Sequence, residues 1–341
     1  MKPNISIAGV FLYFLLIPFM SGQDIHLSQY HFGRLQVNPA LTGIFNGDRQ
    51  ASLIHKQQYF AVPVDYLTFS GSFDIKFRSA QNQPGFFSAG VLFNYDQAGD
   101  SELTLGSLTL NGSYTRVLTK SFFVTVGAYL GGGQRSFYYS ETEDNLKWDN
   151  QWDGTKFDPN LPSGESFSRT NFFFFDAGAG LNLRLQGRDR TKIDLGIGSY
   201  HLTRPNYAFY DTDDIKLPIR LSVYGMGILK LGSRLDLYAN ALYQVQDPYQ
   251  ETLLGGGIIV HISNKIAREV ELHLGAANRL EDALIPMVAV GYDGWKAGFS
   301  YDVNTSNFKA ATDKAGGPEF FVTYTWKRLW PLEQTRVCSI F

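Results

Sequence analysis

The sequence is poor in cysteine, in charged residues and in long apolar runs. Its 341 residues include one cysteine, Cys338, which excludes an internal disulfide framework and a cysteine-based metal cluster. Charged residues make up 18% of the chain, against about 25% in a typical soluble domain. Basic and acidic residues number 30 and 32, so no basic excess is present to bind nucleic acid. The mean hydropathy of -0.15 argues against a bundle of membrane helices, because each span needs about 20 consecutive apolar residues.

The N-terminal residues have the pattern of a secretory signal peptide. Lys2 precedes an uncharged, apolar stretch over residues 5–20, and small residues follow it. This stretch is shorter than the roughly 18 apolar residues that read as a membrane-spanning helix. We therefore expect residues 1–22 to be removed by cleavage near Gly22–Gln23, so that the mature chain leaves the cytoplasm.

Apolar and polar residues alternate along many segments of the remaining chain. Between positions 66 and 77, Leu67, Phe69 and Phe73 are apolar, whereas the residues between them are polar. A period of two predicts β-strands, and these are longer than the ~5–6 residues usual in soluble sheets. The polar face carries charged residues and many of the 34 glycines, and the apolar face is unbroken. A lipid-facing band around a polar lumen requires this arrangement; a soluble secreted β-protein is the alternative.

The fold prediction is an all-β, transmembrane antiparallel β-barrel with an irregular N-terminal segment. We divide the mature chain into a periplasmic or lumenal segment over residues 23–50, the barrel over 51–327, and a C-terminal periplasmic tail over 328–341. Fourteen strands suit a single-chain bacterial barrel, in which the strand number is even. The predicted strands are residues 51–59, 65–77, 86–95, 101–118, 121–136, 169–186, 190–203, 216–230, 233–245, 252–263, 268–278, 284–292, 294–304 and 318–327.

The connections are expected to differ at the two ends of the barrel. Bacterial barrels have short periplasmic turns and longer extracellular loops. We place the tight corners at 119–120, 231–232 and 292–294 on the periplasmic side, with both termini. The longer stretches at about 137–168, 204–215 and 304–317 are placed outside.

Patterns for catalysis and metal binding are weak. The acidic loop between Glu141 and Asp158 resembles a calcium loop in part, but Asn160 stands where the bidentate glutamate is needed. A solvated acidic loop is therefore favoured, and no nucleophile motif such as G-x-S-x-G is present. We predict no enzyme activity, no cofactor and no metal. Trp148 and Trp152, in the longest loop, are candidates for outer-loop contacts, such as stacking on a sugar; anchoring at the headgroup level is the alternative.

Charges of both signs occur on the predicted lumen face. A selective pore more often has charges of one sign, so we expect an internal network of ion pairs. Residues 23–49, which are too irregular for a strand, are available to form a plug inside this network. The charged lumen residues are Asp74, Lys76, Asp176, Arg184, Asp194, Arg220, Asp236, Glu271, Lys296 and Asp302.

Short motifs occur at both ends of the mature chain. Residues 23–30 read QDIHLSQY, residues 38–43 read NPALTG, residues 56–59 read KQQY, and the chain ends in CSIF. These resemble, in the same order and spacing, the Q-D-P-x-F-S-Q-Y, N-P-A-x-A-G, R-x-Q-W and C-P-x-F motifs of the PorP/SprF family of type IX secretion and gliding proteins. The departures are Ile25, Thr42, Tyr59 and Ser339.

The resemblance implies an outer-membrane barrel that serves type IX secretion. It implies a partner role in the export or surface attachment of a large adhesin through the adhesin's C-terminal domain, and contact with a periplasmic secretion-machine or peptidoglycan-linked component. Outer-membrane lipid is the other expected partner, and nucleic acid is not. An outer-membrane diffusion channel or hydrophobic-ligand transporter is the alternative that the barrel alone permits.

The matched motifs supply the candidate residues for partner binding or for a plug. A turn at the Asn-Pro-Ala sequence that seats the segment under or inside the barrel remains open beside direct contact with a partner. The candidates are Asn38, Pro39, Ala40, Gly43, Gln58 and Tyr59.

Overall fold

A computed structural model shows fourteen β-strands that close into a barrel. It describes residues 24–58, 66–77, 85–99, 101–138, 149–152, 154–158, 160–161, 164, 167–187, 190–212, 215–265, 268–306 and 314–327. The expected signal peptide, its cleavage site, and Tyr59, Trp148 and Cys338 lie outside these residues. The strands β1–β14 are Arg49–Gln58, Tyr66–Phe77, Gly85–Ala98, Leu103–Val117, Phe122–Ser136, Asn171–Gln186, Lys192–Tyr200, Arg220–Lys230, Leu235–Gln246, Tyr249–Lys265, Arg268–Arg279, Ala283–Tyr292, Trp295–Asn304 and Ala315–Trp326.

Every strand pairs antiparallel with its neighbours in sequence, and β1 pairs with β14 to close the barrel. In the closing pair, Arg49 lies opposite Trp326 and Lys56 lies opposite Glu319. Closure leaves no free sheet edge, so the wall can satisfy its backbone hydrogen bonds without water. The predicted fourteen-strand all-β barrel is confirmed, with strand ends that agree to within a few residues.

The barrel wall buries polar side chains and exposes apolar ones, the reverse of the arrangement in a soluble protein. In β2, Thr68, Ser70 and Asp74 are buried, whereas Phe73 and Phe77 are exposed. In β12 the burial alternates at every residue from Ala283 to Tyr292. An apolar outer surface of this extent is unfavourable in water and favourable in hydrocarbon. The alternation in the sequence therefore corresponds to a lipid-facing outer wall and a polar lumen.

The two ends of the barrel differ in their connections. The short-turn end is the end at which β1 begins and β14 ends. Short turns at residues 118–121, 231–234 and 293–294 connect neighbouring strands there. At the opposite, long-loop end the three longest connections are residues 137–170, 201–219 and 305–314. The predicted sorting of the long loops to one end is confirmed. Tight connections at 247–248 and 280–282 also occur at the long-loop end, so the alternation is not complete.

Residues 24–48, here called the plug segment, run through the lumen from the long-loop end to the short-turn end. The Asp24 amide donates to Gln246 at the end of β9, and the Asp48 amide donates to the Trp326 carbonyl beside the start of β1. The segment contains the one-turn helix α1, Arg34–Val37, and a 3-10 turn, Pro39–Leu41.

The hydrophobic core lies between the plug segment and the inner wall. One cluster joins plug residues to side chains of β8–β10 and β12. Its members include Tyr30, Val37, Leu41, Ile44, Tyr224, Leu242, Leu253 and Ile285. Among the described residues, no helix is long and apolar enough to cross a membrane.

Candidate functional site

Asn38 fixes the centre of the plug segment. Its buried side chain accepts a hydrogen bond from the Ala40 amide at 2.8 Å, which caps the 3-10 turn. Its Nδ2 donates to the Leu181 carbonyl at 2.9 Å and to the Tyr224 hydroxyl at 3.1 Å. Pro39 follows at the first position of the turn, where its fixed φ suits the conformation and its missing N–H costs nothing. One amide side chain therefore shapes the turn and also ties it to β6 and β8.

Three glycines on the inner wall of β5–β7 receive this turn, and we call them the glycine patch. A Cβ at Gly127 would stand 2.5 Å from the backbone of Ala40. A Cβ at Gly180 would stand 1.9 Å from the Asn38 Oδ1, and one at Gly198 would stand 2.5 Å from a plug carbonyl. Glycine is needed where two backbones approach this closely. The Asn-Pro-Ala turn and the glycine patch therefore fit each other by shape.

Gly43 and Asp74 hold the plug segment next to β2. Gly43 has φ +75, and its amide donates to the Asp74 carboxylate at 2.7 Å. Arg34 forms an ion pair with the same buried carboxylate at 3.2 Å, and its guanidinium also donates to the Leu41 carbonyl at 2.9 Å. A Cβ at Gly43 would stand 2.1 Å from the Ser88 Oγ. Glycine is therefore favoured here both by its conformation and by the lack of space.

A second buried polar cluster anchors the plug segment nearer the long-loop end. The backbone amides of Ser28 and Gln29 donate to the two oxygens of the buried Glu319 carboxylate, at 2.8 and 2.7 Å. The Ser28 hydroxyl donates to Asp302 at 2.7 Å and accepts from Arg279 at 2.8 Å. Arg279 also pairs with Asp302 at 3.0 Å. Buried charges are tolerated only when they are paired and hydrogen-bonded. Arg279 and Asp302 meet this condition, and the Glu319 carboxylate is held by two amide donors.

The first described residue, Asp24, is bound by charged groups at the long-loop end. It lies 2.8 Å from Arg220 and 2.9 Å from the Nε2 of His201, whose Nδ1 lies 2.8 Å from Asp176. Burial opposes the charged imidazolium, but the Asp24 charge and hydrogen bonds to both carboxylates raise the pKa of His201 to about 9. Burial likewise opposes ionisation of Asp24, yet Arg220 and His201 hold its pKa well below its ordinary value. At neutral pH a charged His201 therefore bridges two carboxylates.

The lumen wall carries the ion pairs that the mixed charges predicted. Arg184 binds Asp194 through two hydrogen bonds of 2.8 Å, and Lys296 lies 3.5 Å from Glu271. Other charged lumen residues bind the plug segment instead. The predicted network of ion pairs is confirmed, and it includes the plug segment as well as the wall.

The structure brings four of the sequence candidates together. Asn38, Pro39 and Ala40 form the buried turn, and Gly43 follows it. Gln58, at the end of β1, lies 3.4 Å from the ring of His26 at the long-loop end. Trp152 is 57% exposed and forms an isolated bridge with Phe157, apart from the plug segment.

Sequence reasoning did not select several residues that hold the plug segment. His201, Arg279 and Glu319 are examples, because no local motif surrounds them. A signal was available for Glu319, because it is a carboxylate on the polar face of a strand whose alternate residues are apolar.

A cavity of about 550 Å³ remains between the plug segment and the wall at the short-turn end. His31 and Phe32 of the plug segment form part of its lining, and Tyr292, Trp295 and Lys327 lie at its mouth. The lumen is thus filled towards the long-loop end and hollow towards the short-turn end.

Comparisons with known proteins agree with this architecture. A family model described as type IX secretion system membrane protein PorP/SprF matches residues 19–324. A comparison with curated protein sequences gave no match. The Ralstonia pickettii toluene transporter TbuX superposes with a TM-score of 0.51 and 13% identity, over 85% of this chain and 92% of that one. The deltaS2 mutant of the TodX monoaromatic hydrocarbon channel gives a TM-score of 0.52 and 9% identity, over 86% and 94%. At these identities the likeness concerns the fold alone.

Proposed function

The chain belongs to the PorP/SprF family of type IX secretion system membrane proteins, and on that premise we propose that it is an outer-membrane barrel that binds a large secreted adhesin. In this proposal the adhesin's C-terminal domain is the bound part, and the barrel supports its export or surface attachment. Family and fold are those of a secretion or transport membrane protein and not of a known enzyme class.

The filled lumen is the observation that carries the proposal. The plug segment is anchored by buried polar contacts at Asp24, Ser28 and Asn38, spread along the barrel axis. A steady diffusion pathway would require these contacts to break together, leaving buried charges without partners at a cost of several kcal/mol. A protein that holds a partner at its rim benefits from the opposite property, a closed and rigid barrel.

We assign the short-turn end to the periplasm and the long-loop end to the outside, after cleavage of the signal peptide near Gly22–Gln23. Bacterial barrels generally have this polarity. The periplasmic secretion-machine component would then meet the short-turn end and the C-terminal tail. The adhesin would meet the loops 137–170 and 201–219.

An aromatic cluster stiffens the base of these two loops. The ring of Phe209 lies 4.5 Å from that of Phe137 and 5.1 Å from that of Phe172. The Arg135 guanidinium lies 4.0 Å above the Tyr207 ring. Such ring pairs and cation–π contacts each contribute about 0.5–1.5 kcal/mol. A preordered platform lowers the entropy lost when a partner binds, and this suits an adhesin contact. We place the exposed residue Trp152 in that contact.

The test is a mild-detergent pull-down of the tagged protein from its own outer membrane, followed by mass spectrometry of everything retained. We expect a large secreted protein, retained through its C-terminal domain. Trp152→Ala should reduce its recovery, whereas Trp295→Ala, at a residue 54% exposed at the other end of the barrel, should not. A barrel recovered alone in repeated preparations, with a wide and steady conductance in planar bilayers, would refute the proposal in favour of a diffusion channel.

A further inference from the structure

The cavity at the short-turn end is lined by neither Asn38 nor Ser28, the residues that anchor the plug segment further towards the long-loop end. Its volume of about 550 Å³ lies within the roughly 300–1,000 Å³ of pockets that bind small ligands. Its lining combines apolar residues with many charged ones, and the charged residues indicate what kind of ligand it can bind.

Each base that lines this cavity has an acidic partner, with one exception. Arg34 pairs with Asp74 at the cavity floor. The four other pairs lie on the wall or near the mouth: Arg184 with Asp194, Arg190 with Asp236, Lys296 with Glu271, and Lys327 with Glu269. The side chain of Lys192, the first residue of β7, forms neither an ion pair nor a hydrogen bond with any described residue, although Lys192 is half-buried. The remaining acid of the lining, Asp293, is exposed in the turn at the mouth.

Two further polar atoms beside the cavity have no partner among the described residues. They are the Nδ1 of His31, from the plug segment, and the Oδ1 of Asn240, from β9. Burial, reinforced by the neighbouring His273 and by the positive charge of Lys296, lowers the pKa of His31 to about 3. His31 is therefore neutral at pH 7, and the unpaired charge inside the cavity is that of Lys192. Buried polar groups normally have partners, so these atoms are open to groups on a ligand. The Asn240 oxygen only accepts, and it therefore suits a donor such as a peptide N–H, not the carboxylate itself.

We propose that this cavity is a binding site for a carboxylate-bearing ligand, with the Lys192 ammonium as its counter-ion. An entering carboxylate would form a charge-assisted hydrogen bond without breaking an existing pair. A cation would find every acid inside the cavity already paired. A phosphate dianion would place two negative charges on the single group that faces this one ammonium, whereas each carboxylate places one. The carboxylate can belong to a small organic acid or to an acidic polypeptide segment. This site is independent of the adhesin contact proposed at the other end.

The test is isothermal titration calorimetry with the full-length protein in nanodiscs. The probes are succinate, an acetylated and amidated tripeptide of sequence Asp-Glu-Asp, its Asn-Gln-Asn counterpart, and inorganic phosphate. Lys192→Met should weaken binding of the carboxylate probes by about tenfold or more, the loss expected for one charge-assisted hydrogen bond. Lys192→Arg should retain most of the affinity. Lys120→Met removes an exposed charge in the 118–121 turn, at the same end but outside the cavity, and should change nothing.

The outcomes separate the sources of the ligand and the ways in which the proposal can fail. Tighter binding of the acidic tripeptide identifies a polypeptide as the source, and tighter binding of succinate identifies a free acid. Equal affinity for the acidic and amide tripeptides, preference for phosphate, no binding at millimolar concentrations, or an unchanged affinity in Lys192→Met would each overturn the proposal. Thermal melting of the variants checks that the barrel is folded, and none of these outcomes bears on the adhesin pull-down.

Discussion

Replacing Gly127 with alanine should loosen the plug segment without damaging the barrel. The added methyl group would stand 2.5 Å from the Ala40 backbone, whereas ordinary contacts are 3.4–4 Å. The Asn-Pro-Ala turn must therefore retreat by about 1 Å, and overpacking of this kind typically costs ~1–3 kcal/mol. The atoms that the methyl group would meet belong to the backbone of Pro39 and Ala40. No change of a side-chain rotamer can therefore relieve the contact.

Hydrogen–deuterium exchange of the plug segment measures this cost directly. The Leu41 and Thr42 amides donate to backbone carbonyls within the turn, at 3.0 and 3.1 Å, and exchange only when the turn opens. A loss of ~1–3 kcal/mol should accelerate their exchange by a factor of about 5–150. Gly112→Ala is the matched control in the neighbouring strand, because a Cβ at that position meets no heavy atom within 4 Å. Equal exchange of these amides in the two variants would refute the docking of the turn on the glycine patch.

Three further perturbations address the plug anchors and the wall. Asn38→Ala removes three hydrogen bonds and should destabilise the plug segment by about 2–4 kcal/mol; exchange of the 40–43 amides at the wild-type rate would contradict this. The pKa of His201 is raised from 6.5 to about 9, so its stabilising charge is fully present below pH 6.5 and is lost as the pH rises through 9. The melting temperature should therefore fall between pH 7 and 10, and a parallel fall in His201→Gln would show that another group is responsible. Leu110→Arg, on the lipid face in the middle of β4, should cost about 2–4 kcal/mol of folding into bilayers, and Leu118→Arg, in the short turn, should cost ~0–1 kcal/mol; equal yields of folded protein on a gel would place the lipid boundary elsewhere.

The barrel could be predicted from the sequence because its signal is local. Alternation within β2, for example Phe73 beside Asp74, already states which side chain faces lipid and which faces the lumen. The balance of lumen charges also predicted that they would pair. The identity of each pair could not be predicted, since it depends on how strands far apart in sequence come together. Arg190, in the turn between β6 and β7, reaches Asp236 on β9, and no spacing rule connects them.

The plug contacts were beyond sequence reasoning for a similar physical reason. Asn38 could be recognised as part of a motif, but its partners Leu181 and Tyr224 lie far along the chain. The glycine patch consists of three of 34 glycines, and composition alone does not distinguish a glycine that receives a backbone from one that faces lipid. His201 was missed because its two carboxylate partners, Asp24 and Asp176, lie 177 and 25 residues earlier in the chain, beyond any local motif.

The most direct test of the central claim is a comparison of the cell-surface proteins with and without this chain. Cells that lack the protein should lose one large secreted protein from their surface, and restoring the wild-type chain should return it. Uptake of small solutes should stay unchanged in both. If cells with and without the protein have the same surface proteins, and cells without it take up less solute, a role in type IX export or attachment is contradicted. The barrel would then be identified as a transporter.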